Sequence, residues 1–181
     1  MLNILVHDTN QPMRSVIFII ILLVFAGLVP AQQQLRAGTA APDFAAEALD
    51  GNFYSLSQLQ GKVVVLTFWT TRCAICHEEI PKLNRLADHY RGRDVVFLAP
   101  TMDGAPKIEP YIKKTPFTFS IVPNSFGVMM KYADIDKSGN INMGFPAYFV
   151  IDRHGSIVLR TDGWDKTDNL DAQISKLLAS D

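Results

Sequence analysis

The sequence predicts an α/β fold: one domain built on a central mixed β-sheet flanked by helices on both faces. Three observations carry that expectation. Residues 62–69 (KVVVLTFW) and 95–101 (VVFLAPT) are nearly continuous apolar, β-branched runs, as strands buried on both faces require. The stretch between them repeats its apolar residues at helical spacing, which makes a strand–helix–strand unit. Residues 147–152 (AYFVID) and 156–161 (SIVLRT) flank the turn Arg153-His154-Gly155, a hairpin that brings antiparallel strands into the same sheet.

The remaining elements follow in order. Residues 32–38 are polar and read as a linker. Ala41-Pro42-Asp43-Phe44 leads to Asp50-Gly51-Asn52, a turn between two short extended pieces. After the first buried strand, Cys73 opens a helix that runs to about Tyr90, with Ile80, Leu83, Leu86, Ala87 and Tyr90 on its apolar face. Pro81 is expected to kink it, and Gly92 to end it. Residues 106–114 suit a short helix, 117–122 an extended segment and 125–132 another short helix. A last helix over 170–178 turns Leu170, Ile174, Leu177 and Leu178 inward. Within 133–143, Asp134-Ile135-Asp136-Lys137-Ser138-Gly139-Asn140 is similar to the start of a calcium-binding loop. Its twelfth position is Phe145 where a bidentate Glu is needed, so a polar turn is expected there.

Composition narrows the function. The 181 residues are 48% hydrophobic, enough for one buried domain, and 17 basic against 18 acidic residues give a net charge of -1. With no basic stripe, no nucleic-acid partner is expected. Residues 16–29 are an uncharged apolar run of 14, preceded by Arg14 and followed by Pro30-Ala31, which reads as an export signal cleaved after Ala31, the true start being Met13. A spanning helix needs about 20 apolar residues, so an uncleaved anchor is the alternative and the only route to a membrane. The expected organisation is a signal or anchor over 1–31, a linker over 32–38 and one domain over 39–181, in the periplasm or otherwise exported.

The two cysteines, Cys73 and Cys76, are too close for their bridge to restrain much of the unfolded chain, so reactivity explains them better than stability does. Cys-x-x-Cys at a strand-to-helix junction is a redox motif. The helix start stabilises the thiolate of Cys73, the attacking sulfur, and Arg72 adds positive charge; Cys76, one turn inward, resolves the mixed disulfide. The same residues, with His77, spell the attachment signal of a c-type haem, with Met102, Met129, Met130 or Met143 as second ligand. The preceding buried strand, Pro81 and the strand-rich chain count against that. A structural zinc needs four ligands, and only His77, His89 and His154 accompany the two cysteines. No resident metal or cofactor is expected. A non-catalytic binding module with a dormant disulfide is a further alternative.

Several separated pieces resemble the thioredoxin superfamily, and most closely its exported TlpA/ResA-type thiol:disulfide oxidoreductases. They are Ala41-Pro42-Asp43-Phe44, Gly61-Lys62-Val63-Val64-Val65-Leu66, Phe68-Trp69, Glu79-Ile80-Pro81, and Gly144-Phe145-Pro146 running into Val150-Ile151-Asp152. The resemblance implies a thioredoxin-like fold, a redox-active disulfide between Cys73 and Cys76, and a cis-proline at Pro146 packed against it. It also implies a substrate groove lined by Trp69, Arg72, Phe145 and Pro146, and Glu79 near the thiols as a proton acceptor. Clients would be disulfide-bearing exported proteins, apocytochrome c among them, with a membrane electron donor for recycling. The chain departs from the superfamily in having Thr67 where thioredoxins bury an Asp, Arg72 in place of the usual Trp, and Ile75 in place of the common Pro. No Pro-x-x-x-Thr-x-x-Cys of a peroxidase precedes the first thiol.

Overall fold

The computed structural model describes residues 35–180. The expected export signal and the proposed start at Met13 lie outside them. Among the described residues, no helix is long and apolar enough to cross a membrane.

A two-stranded antiparallel ribbon, β1 (Ala45–Glu47) and β2 (Phe53–Ser55), surrounds the Asp50-Gly51-Asn52 turn. The main sheet then takes β3 (Val63–Phe68), β4 (Val95–Pro100), β5 (Ser120–Val122), β8 (Ala147–Ile151) and β9 (Ile157–Asp162). Their order is β5-β4-β3-β8-β9. The β3–β4 and β4–β5 pairs are parallel, while β3–β8 and β8–β9 are antiparallel, so the sheet is mixed as expected. This is the thioredoxin-like arrangement. Every residue of β3 and of β8 is buried, which explains their uninterrupted apolar sequences.

Alternation along β3 divides the core. Val64, Leu66 and Phe68 join Phe149 and Ile151 on one face, where α3 (Phe126–Tyr132) contributes Val128, Met129 and Tyr132. Val63 and Val65 join Tyr148 and Val150 on the other, covered by Leu83 and Leu86 of α1 (Ala74–His89) and by Leu170 and Ile174 of α4 (Thr167–Ala179). A third cluster, at the carboxyl ends of β3 and β4, holds Trp69, Cys76, Ile80 and Ala99 with Ile108 and Tyr111 of α2 (Ala105–Ile112). The helix α1 continues through Pro81 without interruption, so that proline does not divide it.

Two features lay beyond the sequence reading. Residues 133–143 form a hairpin of β6 (Asp134–Ile135) and β7 (Ile141–Asn142). The carboxylate of Asp136 accepts the Ser138 and Asn140 N–H groups and the Asn140 side-chain amide, so both its oxygens are used inside the turn. Arg160 of β9 holds the hairpin by donating to both oxygens of Asp134. Ahead of β1, Gly38 N–H donates to Ile157 O, Ile157 N–H to Thr39 O and Ala41 N–H to Gly155 O, each at 2.8 Å, laying residues 38–41 along the outer side of β9.

Candidate active site

The carboxyl end of β3 leads through Thr70, Thr71 and Arg72 into α1. Cys73 is the N-cap of that helix, with extended backbone (φ -88, ψ 105), and its Sγ accepts the Cys76 N–H at 3.1 Å. A sulfur in the N-cap position takes the place of the usual Ser or Asp oxygen. It receives an amide hydrogen left unpaired by the helix start, where negative charge is favoured. Cys73 and Cys76 are joined as a disulfide. The two sulfurs differ in access: Cys73 is partly exposed, whereas Cys76 is 1% exposed among Trp69, Ile80 and Tyr111.

The loop that presents Cys73 is latched by Asp103, at the carboxyl end of β4. One oxygen of Asp103 accepts Thr71 N–H (2.8 Å), Thr71 Oγ1–H (3.0 Å) and Thr70 Oγ1–H (3.0 Å), and Lys107 lies 3.7 Å from the other. Burial pushes this carboxyl upward, but the bonds from Thr71 and Thr70 and the Lys107 charge outweigh it, holding Asp103 below the ordinary carboxylate range. On the other side of the loop the His77 Nε2 lies 3.2 Å from Thr71 O, and its ring meets Tyr111 edge-on at 4.5 Å. Burial pushes the Tyr111 phenol up to about 12, so it stays neutral. These placements do not fit a haem: Cys76 is enclosed by side chains on all sides and His77 is spent on the loop and on Tyr111.

The groove wall opposite is Gly144-Phe145-Pro146, with a cis peptide between Phe145 and Pro146. Phe145 and Cys73 both pack against the cluster that contains Cys76. Pro146 enters β8, where Ala147 pairs with Phe68, and its carbonyl accepts Gly163 N–H at 2.9 Å. At Gly144 a Cβ would lie 2.6 Å from the Asp162 Oδ2, so the close approach of the two segments requires glycine.

Trp69 departs from the expectation that it lines the substrate groove. It is 1% exposed, its Nε1–H donates to Ala99 O at 3.2 Å, and its ring is tilted against Phe117 and Tyr111. Trp69 is thus a platform beneath Cys76, because its side chain points to the α1 face of the sheet and not to its rim. Arg72 is exposed on the loop beside Cys73. Glu79 is 0% exposed, on the inner face of α1 one turn beyond Cys76. Its Oε1 pairs with Lys82 Nζ at 2.8 Å, while Oε2 has no hydrogen-bond partner.

Glu79 has polar company that the sequence reading missed. Tyr148 faces Thr67 across β3 and β8, and the Tyr148 hydroxyl and Thr67 Oγ1 are both buried without a hydrogen-bond partner. Burial, then the charge of Glu79, pushes the Tyr148 phenol well above its ordinary range. Tyr148→Phe is therefore expected to keep or raise the melting temperature, because it removes a desolvated hydroxyl whose burial costs about 1–3 kcal/mol when unpaired. A calorimetric scan that found the variant much less stable would show that the hydroxyl carries a bond. Asp103 was equally absent from the reading of the motif; its signal was a carboxylate at the carboxyl end of a buried parallel strand, where α/β sheets place their sites.

The AhpC/TSA family pattern matches residues 37–160 of this chain, spanning both cysteines and Pro146. The chain belongs to the AhpC/TSA family. Among its relatives are the thiol-disulfide oxidoreductase ResA of Geobacillus kaustophilus, 30% identical over 157 residues (80% of this chain, 83% of the relative), and that of Bacillus thuringiensis, 28% identical over 178 residues (91% and 96%). A crystal structure of a thiol:disulfide interchange protein, assigned as DsbE, from Chlorobium tepidum is similar at a TM-score of 0.69 and 26% identity, covering 80% of this chain and 99% of that one. This AhpC/TSA member is a thiol-disulfide oxidoreductase of the ResA/DsbE type with a thioredoxin-like fold.

Proposed function

We propose that this protein reduces disulfides of exported proteins through Cys73 and Cys76. The observation that carries the reading is the N-cap position of Cys73, a partly exposed sulfur held by a helix N–H in front of a buried partner. In the reduced enzyme the Cys73 thiolate attacks one sulfur of a client disulfide, and the other client sulfur leaves as a thiolate. Cys76 loses its proton and attacks Cys73 Sγ, which breaks the mixed disulfide and releases the second client thiolate. Two electrons have passed to the client, and the enzyme holds the Cys73–Cys76 disulfide. Glu79, buried one turn from Cys76, takes the Cys76 proton. Phe145, Pro146 and Arg72 flank the client chain.

The reductive direction, a membrane electron donor and apocytochrome c as one client are drawn from the resemblance to TlpA/ResA-type proteins. Residues 16–29 supply export to the periplasm or cell exterior, with attachment to the membrane if they are not removed. The reduction potential of the Cys73–Cys76 pair, measured by equilibration in thiol redox buffers, tests the reading. A value well below the about -180 mV of protein disulfide isomerase is expected. A value near about -120 mV, that of a strongly oxidising exported catalyst, reverses the direction. A pair that never exchanges removes the activity.

A further inference from the structure

A carboxylate that is 0% exposed needs a counter-charge to stay ionised, and Glu79 has one. Lys82, one turn along α1, places Nζ 2.8 Å from Glu79 Oε1, and the same ammonium is held from outside by Asp165 Oδ1 at 2.9 Å. It also lies 5.0 Å from the centre of the Trp164 ring. Lys82 is thus gripped from three directions, by an acid inside, an acid outside and an aromatic face.

The outer grip is fixed to the substrate wall. Asp165 has a left-handed backbone (φ 58) and follows Gly163 (φ 82) in the turn after β9. Gly163 N–H donates to the carbonyl of Pro146, and the preceding Asp162 closes against Gly144. A continuous set of contacts therefore runs from Gly144-Phe145-Pro146, through residues 162–165, to Lys82 and Glu79.

We propose that Lys82, clasped by Asp165, is a positioning residue for disulfide exchange: it holds Glu79 in place and in its charged form, ready to accept the proton of Cys76. The inference rests on the role given to Glu79 above. The charged and titratable groups facing the pair are few. Tyr148 approaches Glu79 from β8 and stays neutral. Asp165 approaches Lys82 from the turn after β9, and Asp168 and Asp171 of α4 line the outer groove with Lys82, Arg85 and His89 of α1. Hydrogen bonds, first from Glu79 and then from Asp165, hold the Lys82 ammonium above its ordinary range, so it remains a cation throughout the working pH of thiol exchange.

The test uses the reduced full chain in detergent, with oxidised glutathione as the probe, and follows release of glutathione from the Cys73 mixed disulfide as a function of pH. Five forms are compared: wild type, Lys82→Met, Lys82→Arg, Glu79→Gln and the double variant Glu79→Gln/Lys82→Met. Removing an opposite charge at this distance shifts a carboxylate's titration by about 1–3 units, so Lys82→Met is expected to move the acidic limb of the profile up by at least about one unit. The rate near neutral pH falls about tenfold, and Lys82→Arg restores the wild-type profile. The double variant buries no unpaired charge, so it folds even if Lys82→Met does not, and its profile is expected to match that of Glu79→Gln.

The proposal is overturned if Lys82→Met leaves the profile in place while Glu79→Gln changes it. It is overturned as well if Lys82→Met alters the rate equally in the Glu79→Gln background. If Glu79→Gln itself behaves as wild type, the proton-acceptor role is what fails, and the assignment of Lys82 falls with it.

Discussion

Cys73→Ser is expected to reduce disulfide exchange to the uncatalysed background, and Cys76→Ser to stop it one step later, with a client held covalently on Cys73. The asymmetry follows from access. Cys73 is partly exposed and takes an N–H from the helix start, while Cys76 is 1% exposed beneath it. A client sulfur can reach only the first. In Cys76→Ser nothing displaces the client from Cys73, and a mixed disulfide accumulates that mass spectrometry detects after acid quenching. The reverse pattern, trapping on Cys76 in Cys73→Ser, would reassign the nucleophile. Folding is expected to change much less than activity. By the loop-closure relation, a bridge between residues three apart contributes about 2 kcal/mol at most. A melting curve near that of the wild type, with activity gone, separates chemistry from collapse.

Asp103→Ala is expected to have the second largest effect, and on stability as well as rate. The carboxylate collects three donors from Thr70 and Thr71, all on one oxygen. Hydrogen bonds to charged groups contribute about 1.5–3 kcal/mol each and do not add fully, so a loss of about 3 kcal/mol is expected, read from urea unfolding. Exchange slows because the segment that aims Cys73 is no longer tied to β4. The dependence on pH has a definite sign. Asp103 titrates below the ordinary value of 3.8 in the folded protein, so its contribution is complete above that pH and is lost as the pH falls through the lower folded value. The stability gap between wild type and Asp103→Ala is therefore expected to be constant from neutral pH to about pH 5 and to close in stronger acid. A gap that widened in acid would contradict the assignment.

Most of the sheet could be read from the chain because burial writes itself directly into composition. Strands β3 and β8 are buried at every position and are apolar at every position but Thr67. The helix α1 was legible through Ile80, Leu83 and Leu86, which recur at helical spacing. The hairpin of β6 and β7 was not, since its residues are polar and half-exposed or exposed and its pairing depends on Arg160, a residue 26 positions away from Asp134. In the site, Cys73 and Cys76 stood out by local spacing. Asp103 and Lys82 did not, because what they do depends on contacts between different elements. Trp69 shows the opposite failure: its position next to the redox loop is evident in sequence, but the direction of its side chain is set by the parity of β3, which puts it under the site.

The backbone pairing of residues 38–41 with 155–157 also decides where a processed chain can begin. A chain cut after Ala31, as proposed here, retains Gly38, Thr39 and Ala41 and so keeps the start of β9 covered. One trimmed beyond Ala41 bares the N–H and C=O of Ile157, together with the carbonyl of Gly155, at the outer border of the sheet. An uncovered strand border recruits strands from other molecules. Proteolysis at that short N-terminal stretch would thus leave the redox chemistry intact while turning a soluble domain into one prone to self-association.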